Sequence, residues 1–270
     1  MNVKLKMTAG DERFQRGANK YAAYLETPEG RLRLDLAFAN LQDFLPSGGD
    51  ASLCALDLGG GTGATAVRLA QRGMRVTIVD SSAVMLDLAK LAIEAAGVTD
   101  KVELKQGDVT QMTDLFPTRS FDVVLCHNLL EYCDDPDAVI GGAAHIMRDS
   151  VAILSVLVRN QAGEVFKSAI QSGDLVAAEN GVTAEWGQES LYGGKVRLFR
   201  PDSLQRMMKS ASLDIVAERG VRVVTDYLPN TIDRSANYDR ILELERKLGT
   251  RLDFANIARY TQCLARRPGQ

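Results

Sequence analysis

The sequence predicts an α/β protein: a mostly parallel sheet with helices on both faces. Two observations predict it. Between residues 53 and 158, short apolar runs of strand length alternate with stretches of helix length. The first of these runs, 53–58, leads straight into Gly59-Gly-Gly-Thr-Gly63. Only glycine lets a backbone leave a strand so sharply and still approach a ligand with no Cβ in the way. In open α/β sheets such turns lie at the carboxyl ends of strands, where nucleotides bind.

Taken in order, residues 11–45 read as helical, with Leu32, Leu36, Ala39 and Leu41 at rough helical spacing before Pro46-Ser-Gly-Gly49 breaks the chain. Strands are expected at 53–58, 75–79, 102–106, 121–126 and 151–158, and helices at 62–72, 82–96 and 135–147. Asp80-Ser81-Ser82 offers N-cap oxygens to the second of these helices, and Gly97 ends it. Residues 160–200 interrupt the alternation with Gly163, Gly173, Gly181, Gly187, Gly193 and Gly194 and the only tryptophan, Trp186. That composition predicts an inserted lid. A helix at 202–211, a β stretch at 214–225, a charged helix at 237–248 and a strand at 257–266 follow. The expected organisation is one domain over 1–270. It comprises an N-terminal helical lid (1–46), a cofactor core (50–160), the inserted lid (161–200) and the remainder of the sheet (201–270).

Composition narrows the class. The 270 residues are 46% hydrophobic and 25% charged, ordinary for a soluble globular protein. The apolar run at 151–158 is too short to span a bilayer. Lys4 and Lys6 precede no apolar segment, so no signal peptide is expected. Cys54, Cys126, Cys133 and Cys263 form no CxxC pair and read as buried thiols of a reducing compartment, which predicts the cytoplasm and no membrane association. Two histidines predict no metal site. The net charge of −3 hides an asymmetry, since residues 195–270 hold 15 Lys/Arg against 9 Asp/Glu. A positive end can steer an anionic partner, although scattered solubilising charge gives the same count.

The glycine turn fits two cofactor classes. Gly59-x-Gly61-x-x-Ala64 with Asp80, 21 residues after Gly59, satisfies a dinucleotide fingerprint. Asp57-x-Gly59-x-Gly61-x-Gly63 satisfies the motif of class I S-adenosylmethionine (AdoMet) methyltransferases. Three features favour AdoMet. Asp57 inside the turn suits a cationic ligand and repels a pyrophosphate. Asp108, ending the third strand, can accept from an adenine amine, with the Val109 amide near the ring. The stretch Phe121-Asp-Val-Val-Leu-Cys-His-Asn-Leu-Leu-Glu-Tyr132 carries His127 and Glu131 towards the sulfonium side of the cleft. Each has an ordinary alternative: a helix cap for Asp80, a loop acid for Asp108, a hydrogen-bonded structural residue for His127.

Beyond the generic Leu56-Asp-Leu-Gly-Gly-Gly-Thr-Gly63, more specific segments run nearly end to end. They are Thr27-Pro-Glu-Gly-Arg-Leu-Arg33, Cys126-His-Asn-Leu-Leu-Glu-Tyr132, Gly220-Val-Arg-Val-Val-Thr-Asp-Tyr-Leu228, Leu242-Glu-Leu-Glu245 and Ile257-Ala-Arg-Tyr260. In these the chain resembles the tRNA 5-carboxymethoxyuridine methyltransferase family. The resemblance implies a class I, Rossmann-like, seven-stranded mostly parallel sheet, with AdoMet as cofactor and S-adenosylhomocysteine as product. It implies that Arg33 holds the AdoMet carboxylate and that Gly60, Gly61, Asp80, Asp108, Val109 and His127 contact the cofactor. Asp57, Gly59, Gly63, Ser81 and Met85 complete the expected cofactor set.

The resemblance also implies methyl-ester formation on the carboxylate of a wobble uridine, with a tRNA anticodon loop as partner. The alternative is a small anionic metabolite enclosed by the 160–200 lid. An ionised carboxylate is itself a nucleophile, so no general base is expected. Arg222, and after it Arg200, are the candidates to orient an anionic acceptor; a paired residue on a strand is the alternative for Arg222. Two departures from the family pattern stand out. The lid segment Tyr192-Gly-Gly-Lys-Val-Arg-Leu-Phe199 carries only Lys195 and Arg197, and Arg148-Asp-Ser150 replaces a Pro-Gly-Gly turn.

Overall fold

A computed structural model describes residues 9–46, 53–189 and 191–269. The expected break at Pro46-Ser-Gly-Gly49 lies, beyond Pro46, outside the described residues, as do Lys4 and Lys6. Seven strands form one sheet in the order β3-β2-β1-β4-β5-β9-β8: β1 (Cys54–Leu58), β2 (Arg75–Asp80), β3 (Val102–Gln106), β4 (Val123–His127), β5 (Ile153–Arg159), β8 (Asp214–Val221) and β9 (Tyr260–Arg266). β1 to β5 run parallel, and β9 inserts antiparallel between β5 and β8. The seven-stranded, mostly parallel sheet is the one expected.

Successive residues on the central strands bury on opposite faces, as a sheet covered on both sides requires. Leu56, Leu58, Val124, Cys126, Leu154 and Val156 join one core with Met112 of α5 (Met112–Leu115), α6 (Pro136–Ile146) and α9 (Pro201–Ser210). Ala55, Val123, Leu125 and Ile153 join the other with α3 (Ala64–Gln71), α4 (Ala83–Ala95) and Leu41.

The single helical stretch expected at 11–45 is two helices, α1 (Ala9–Leu25) and α2 (Pro28–Gln42). Thr27 is the N-cap of α2: its Oγ1 accepts from the Gly30 amide at 3.1 Å and donates to the Tyr24 carbonyl at 2.7 Å. Pro28 then takes the first helical position, where its missing N–H costs nothing. Gly30 presses so closely on the end of α1 that a Cβ would run into the Tyr24 carbonyl.

The interruption at 160–200 contains α7 (Gln161–Phe166), α8 (Leu175–Gly181) and a separate two-stranded ribbon, β6 (Trp186–Gln188) with β7 (Lys195–Arg197). α10 (Tyr238–Gly249) and α11 (Leu252–Ala255) precede β9. The β stretch expected to 225 ends at Val221, and the last strand begins at Tyr260 rather than 257. Between them Glu245 of α10 is fully buried and accepts the amides of Val223, Val224 and Thr225, capping the turn that stops β8. The Arg148-Asp-Ser150 turn is also accounted for. Arg148 pairs with the buried Asp122 at 2.7 Å, and Asp149 accepts from the amides of Val151 and Ala152. No helix among the described residues is long and apolar enough to cross a membrane.

Candidate functional site

The strand order reverses between β1 and β4, and a cavity of about 1090 Å³ opens there at the carboxyl ends of the parallel strands. All five parallel strands feed it: Asp57 and the glycine turn from β1, Asp80 from β2, Gly107 and Asp108 after β3, His127 from β4, Leu157 and Arg159 from β5. The volume lies just above the roughly 300–1,000 Å³ usual for small-molecule sites, room for a nucleoside-sized cofactor and part of an acceptor.

The glycine turn is built for close approach. Gly59, Gly61 and Gly63 have φ of +63°, +56° and +74°, the left-handed region that side chains resist. Gly60 has no such torsion, but a Cβ on it would stand 2.9 Å from both Asp57 Cγ and Ile78 Cγ2. Asp80 clamps the turn, its Oδ2 accepting from the Gly61 amide at 2.9 Å and its Oδ1 from the Ser82 amide at 2.9 Å. Ser82, not Asp80, is the N-cap of α4, accepting from the Met85 amide. The Asp57 carboxyl is buried and accepts no hydrogen bond among the described residues. Burial, and then the charge of Asp80, push its carboxyl up to about 7.

Asp108 sits at the cavity wall and accepts from the Thr110 amide at 2.9 Å. His127 Nε2 lies 2.8 Å from Ser155 Oγ, which receives a hydrogen bond from Gln262, itself bonded to Asn40 and the Ala37 carbonyl of α2. Burial, reinforced by Arg33, lowers the imidazole to about 3. The ring is therefore neutral, and does not repel a cation in the cavity. Glu131 is not on the cavity wall. It is buried and takes the Asn128 side chain and the Arg159 amide, bracing the loop after β4.

Arg33 of α2 is 4% exposed and reaches the cavity wall. It donates to Tyr21 Oη at 2.8 Å, and its guanidinium lies 5.1 Å from the Tyr24 ring centroid and 5.7 Å from that of Tyr260. No carboxylate pairs with it among the described residues. The cavity wall thus brings together Arg33, Asp57, Gly59, Gly60, Gly61, Asp80, Ser81, Met85, Asp108, Val109 and His127; Gly63 stands just behind, at the start of α3.

Both acceptor-orienting candidates need correction. Arg222 is buried off the cavity wall, at φ +62°, ion-paired to Asp226 and bonded to Tyr24 Oη at 2.8 Å. Its charge is already spent, so the paired-residue reading applies. Arg200 is exposed, precedes α9 and pairs with Asp202 at 3.5 Å. Neither lines the cavity.

The sequence reading missed an aromatic wall and a strut. Phe14 and Tyr21 from α1, Tyr132 from the loop after β4 and Tyr192 from the segment between β6 and β7 meet at the cavity, with Phe14–Tyr132 centroids 5.0 Å and Phe14–Tyr192 5.1 Å apart. Arg159, at the end of β5, pairs with Glu164 at 3.0 Å and with Glu189, which also accepts from Tyr132 Oη and the Leu191 amide. That buried carboxylate ties the 160–200 segment to the sheet. These residues come from four distant segments and show no shared periodicity, although the strand-end position of Arg159 was a usable signal.

Comparison with known proteins agrees with this architecture. A methyltransferase-domain family matches residues 55–150. The tRNA 5-carboxymethoxyuridine methyltransferase of Escherichia coli K12 is 29% identical over 96% of this chain and 97% of its own. A ubiquinone biosynthesis O-methyltransferase of Idiomarina loihiensis is 30% identical over 62% of this chain and 63% of that protein. Among solved structures, a SAM-dependent methyltransferase of Thermotoga maritima, described as a possible histamine N-methyltransferase, superposes with a TM-score of 0.63 at 16% identity, covering 95% of this chain and 99% of that one. The chain is a class I AdoMet-dependent methyltransferase that resembles the tRNA 5-carboxymethoxyuridine methyltransferases along nearly its whole length.

Proposed function

We propose that this enzyme methylates the carboxylate of 5-carboxymethoxyuridine at the tRNA wobble position, giving the methyl ester. The observation that carries the substrate is the extent of the resemblance. Similarity to the Escherichia coli enzyme spans the N-terminal helices, the lid and the last strand, whereas the ubiquinone-biosynthesis relative matches 62% of the chain.

The cavity fits AdoMet on its own terms. It offers a cationic ligand two carboxylates (Asp57 and Asp80), a run of three residues without Cβ atoms (Gly59 to Gly61) and a neutral imidazole, and it offers an anion the guanidinium of Arg33, which has no carboxylate partner among the described residues. In this reading Asp80 takes the ribose hydroxyls, Asp108 and the Val109 amide the adenine, Arg33 the amino-acid carboxylate, and Asp57 the adjacent ammonium. Gly59, Gly60, Gly61 and Gly63 let the backbone close on the ligand, and Ser81, Met85 and His127 complete the walls. When bound, AdoMet supplies a methyl group made electrophilic by its sulfonium.

The chain's own task is then positional. The acceptor carboxylate is ionised at neutral pH and needs no base. It must be held about 3 Å from the methyl carbon, in line with the breaking bond, with water excluded. Tyr192, held protonated by burial, is the donor on that wall able to orient an acceptor oxygen. α1 and α2, as an N-terminal lid over the core, and the inserted lid latched by Glu189 exclude solvent.

Asp57 gives this placement a pH signature. A cation seated against Asp57 favours its ionised form, so AdoMet binding expels a proton wherever the free enzyme holds one, that is, below about pH 7. Affinity should therefore rise with pH and level off above 7, being about tenfold weaker near pH 6 than near pH 8. Calorimetry in buffers of different ionisation enthalpy reads the proton directly. Asp57→Asn should flatten the profile, and a flat profile for the wild type would refute the assignment.

A second reading, a small-molecule O- or carboxyl-methyltransferase, draws support from the aromatic wall of Phe14, Tyr21, Tyr132 and Tyr192, which suits a planar metabolite. Mass spectrometry of tRNA nucleosides from cells with and without the protein separates the two. Loss of the wobble methyl ester is expected; unchanged nucleosides would overturn the tRNA reading.

A further inference from the structure

The ribbon of the inserted lid has two chemically different faces. On the inner face Val196 is fully buried, and Gly187 lies so close to Leu198 that a Cβ would stand 3.1 Å from its side chain. On the outer face Trp186 stands opposite Arg197, and Gln188 opposite Lys195. Trp186 is 47% exposed, with the Arg197 guanidinium 4.7 Å from its ring centroid. Among the described residues, neither Lys195 nor Arg197 forms an ion pair, and Arg197 Nε has no hydrogen-bond partner.

Among the described residues no carboxylate pairs with either cation: Glu185 precedes the strand, and Glu189 is buried on Arg159 and Tyr132. The ribbon also borders the cavity mouth. Its connecting loop supplies Leu191 and Tyr192 to the wall, Arg13 of α1 donates to the Lys195 carbonyl at 3.3 Å, and the charge of Arg197 acts on Cys133, another wall residue.

We propose that this outer face is a docking surface for the unpaired RNA next to the reacting nucleotide, with Trp186 stacking on a base and Lys195 and Arg197 meeting phosphates. The inference rests on the tRNA reading above. An indole beside two uncompensated cations and an amide is the chemistry that holds single-stranded bases and their backbone. A protein-docking patch would carry aliphatic companions, and this face has none. The pair Lys195 and Arg197, sparse as a phosphate track, gains its meaning from the tryptophan between the strands.

Trp186 is the only tryptophan in the chain, so its emission reports on this face alone. The test titrates the full-length protein, with S-adenosylhomocysteine present, with an anticodon stem-loop RNA carrying 5-carboxymethoxyuridine. Tryptophan emission and the anisotropy of dye-labelled RNA are followed in parallel. The two curves should coincide, with emission quenched at saturation. Trp186→Ala should weaken binding at least about fivefold. The double variant Lys195→Ala, Arg197→Ala should reduce the slope of log affinity against log salt by about 1.4, two contacts at about 0.7 each for a single strand. S-adenosylhomocysteine affinity, measured by calorimetry, should stay unchanged in each, showing that the fold is intact. RNA binding by anisotropy with unaltered emission and unaffected variants overturns the docking surface and leaves the tRNA reading standing. No RNA binding by anisotropy overturns the tRNA reading, and the docking surface with it.

Discussion

Replacing Asp80 with alanine is expected to weaken AdoMet binding by about a hundredfold, because the carboxylate acts on two sides at once. Towards the protein it accepts the Gly61 and Ser82 amides, which joins the glycine turn to the start of α4. Towards the cavity it stands on the wall at the end of β2, where the ribose would lie in this reading. Removing it deletes the ligand contacts, about 1.5–3 kcal/mol for each charge-assisted hydrogen bond, and also leaves the Gly61 amide without its partner. Asp80→Asn keeps one acceptor oxygen but no charge and should fall between the two. Calorimetric affinity and melting temperature, measured together, separate the roles. A lower melting temperature with unchanged AdoMet affinity would reduce Asp80 to a scaffold residue and sink the ribose assignment.

What the sequence disclosed follows from the range of the interactions involved. The glycine turn, Asp57, Asp80 and Asp108 were legible because each is set by its own strand and the turn after it. The break in the N-terminal helix was missed although it has a local signal, for Thr27-Pro28 is an N-cap followed by the residue that favours a first helical position. Hydrophobic spacing ran across it and hid it. Arg222 shows the opposite limit. Nothing local shows that it bends back at φ +62° to meet Asp226 and Tyr24, the latter nearly two hundred residues earlier in the chain. The aromatic wall was equally hidden, since Phe14, Tyr132 and Tyr192 meet only once α1, the β4 loop and the 160–200 segment are packed together.

Arg33 is where long-range packing and ligand chemistry meet. Three other buried arginines each have a carboxylate: Arg159 has Glu189, Arg222 has Asp226 and Arg259 has Glu164. Among the described residues Arg33 has only rings and a hydroxyl, from Tyr21, Tyr24 and Tyr260. The surrounding tyrosines outweigh burial and hold its proton more firmly than usual, so it stays charged. A buried cation without a counter-ion is costly unless a ligand supplies one, and the AdoMet carboxylate matches its planar fork.

Arg33→Met should therefore weaken AdoMet binding by about a hundredfold, within the 2–5 kcal/mol seen when one partner of a buried charge pair is removed. Arg33→Lys should recover little, because an ammonium cannot reproduce the fork. Decarboxylated AdoMet keeps the sulfonium and the amine, and makes the comparison specific. The wild type should prefer AdoMet over it strongly, and Arg33→Met should bind the two nearly alike, a coupling that simple structural damage does not produce. If the variant keeps the full preference, the carboxylate lies elsewhere and Arg33 serves only to hold α1 and α2 against β9.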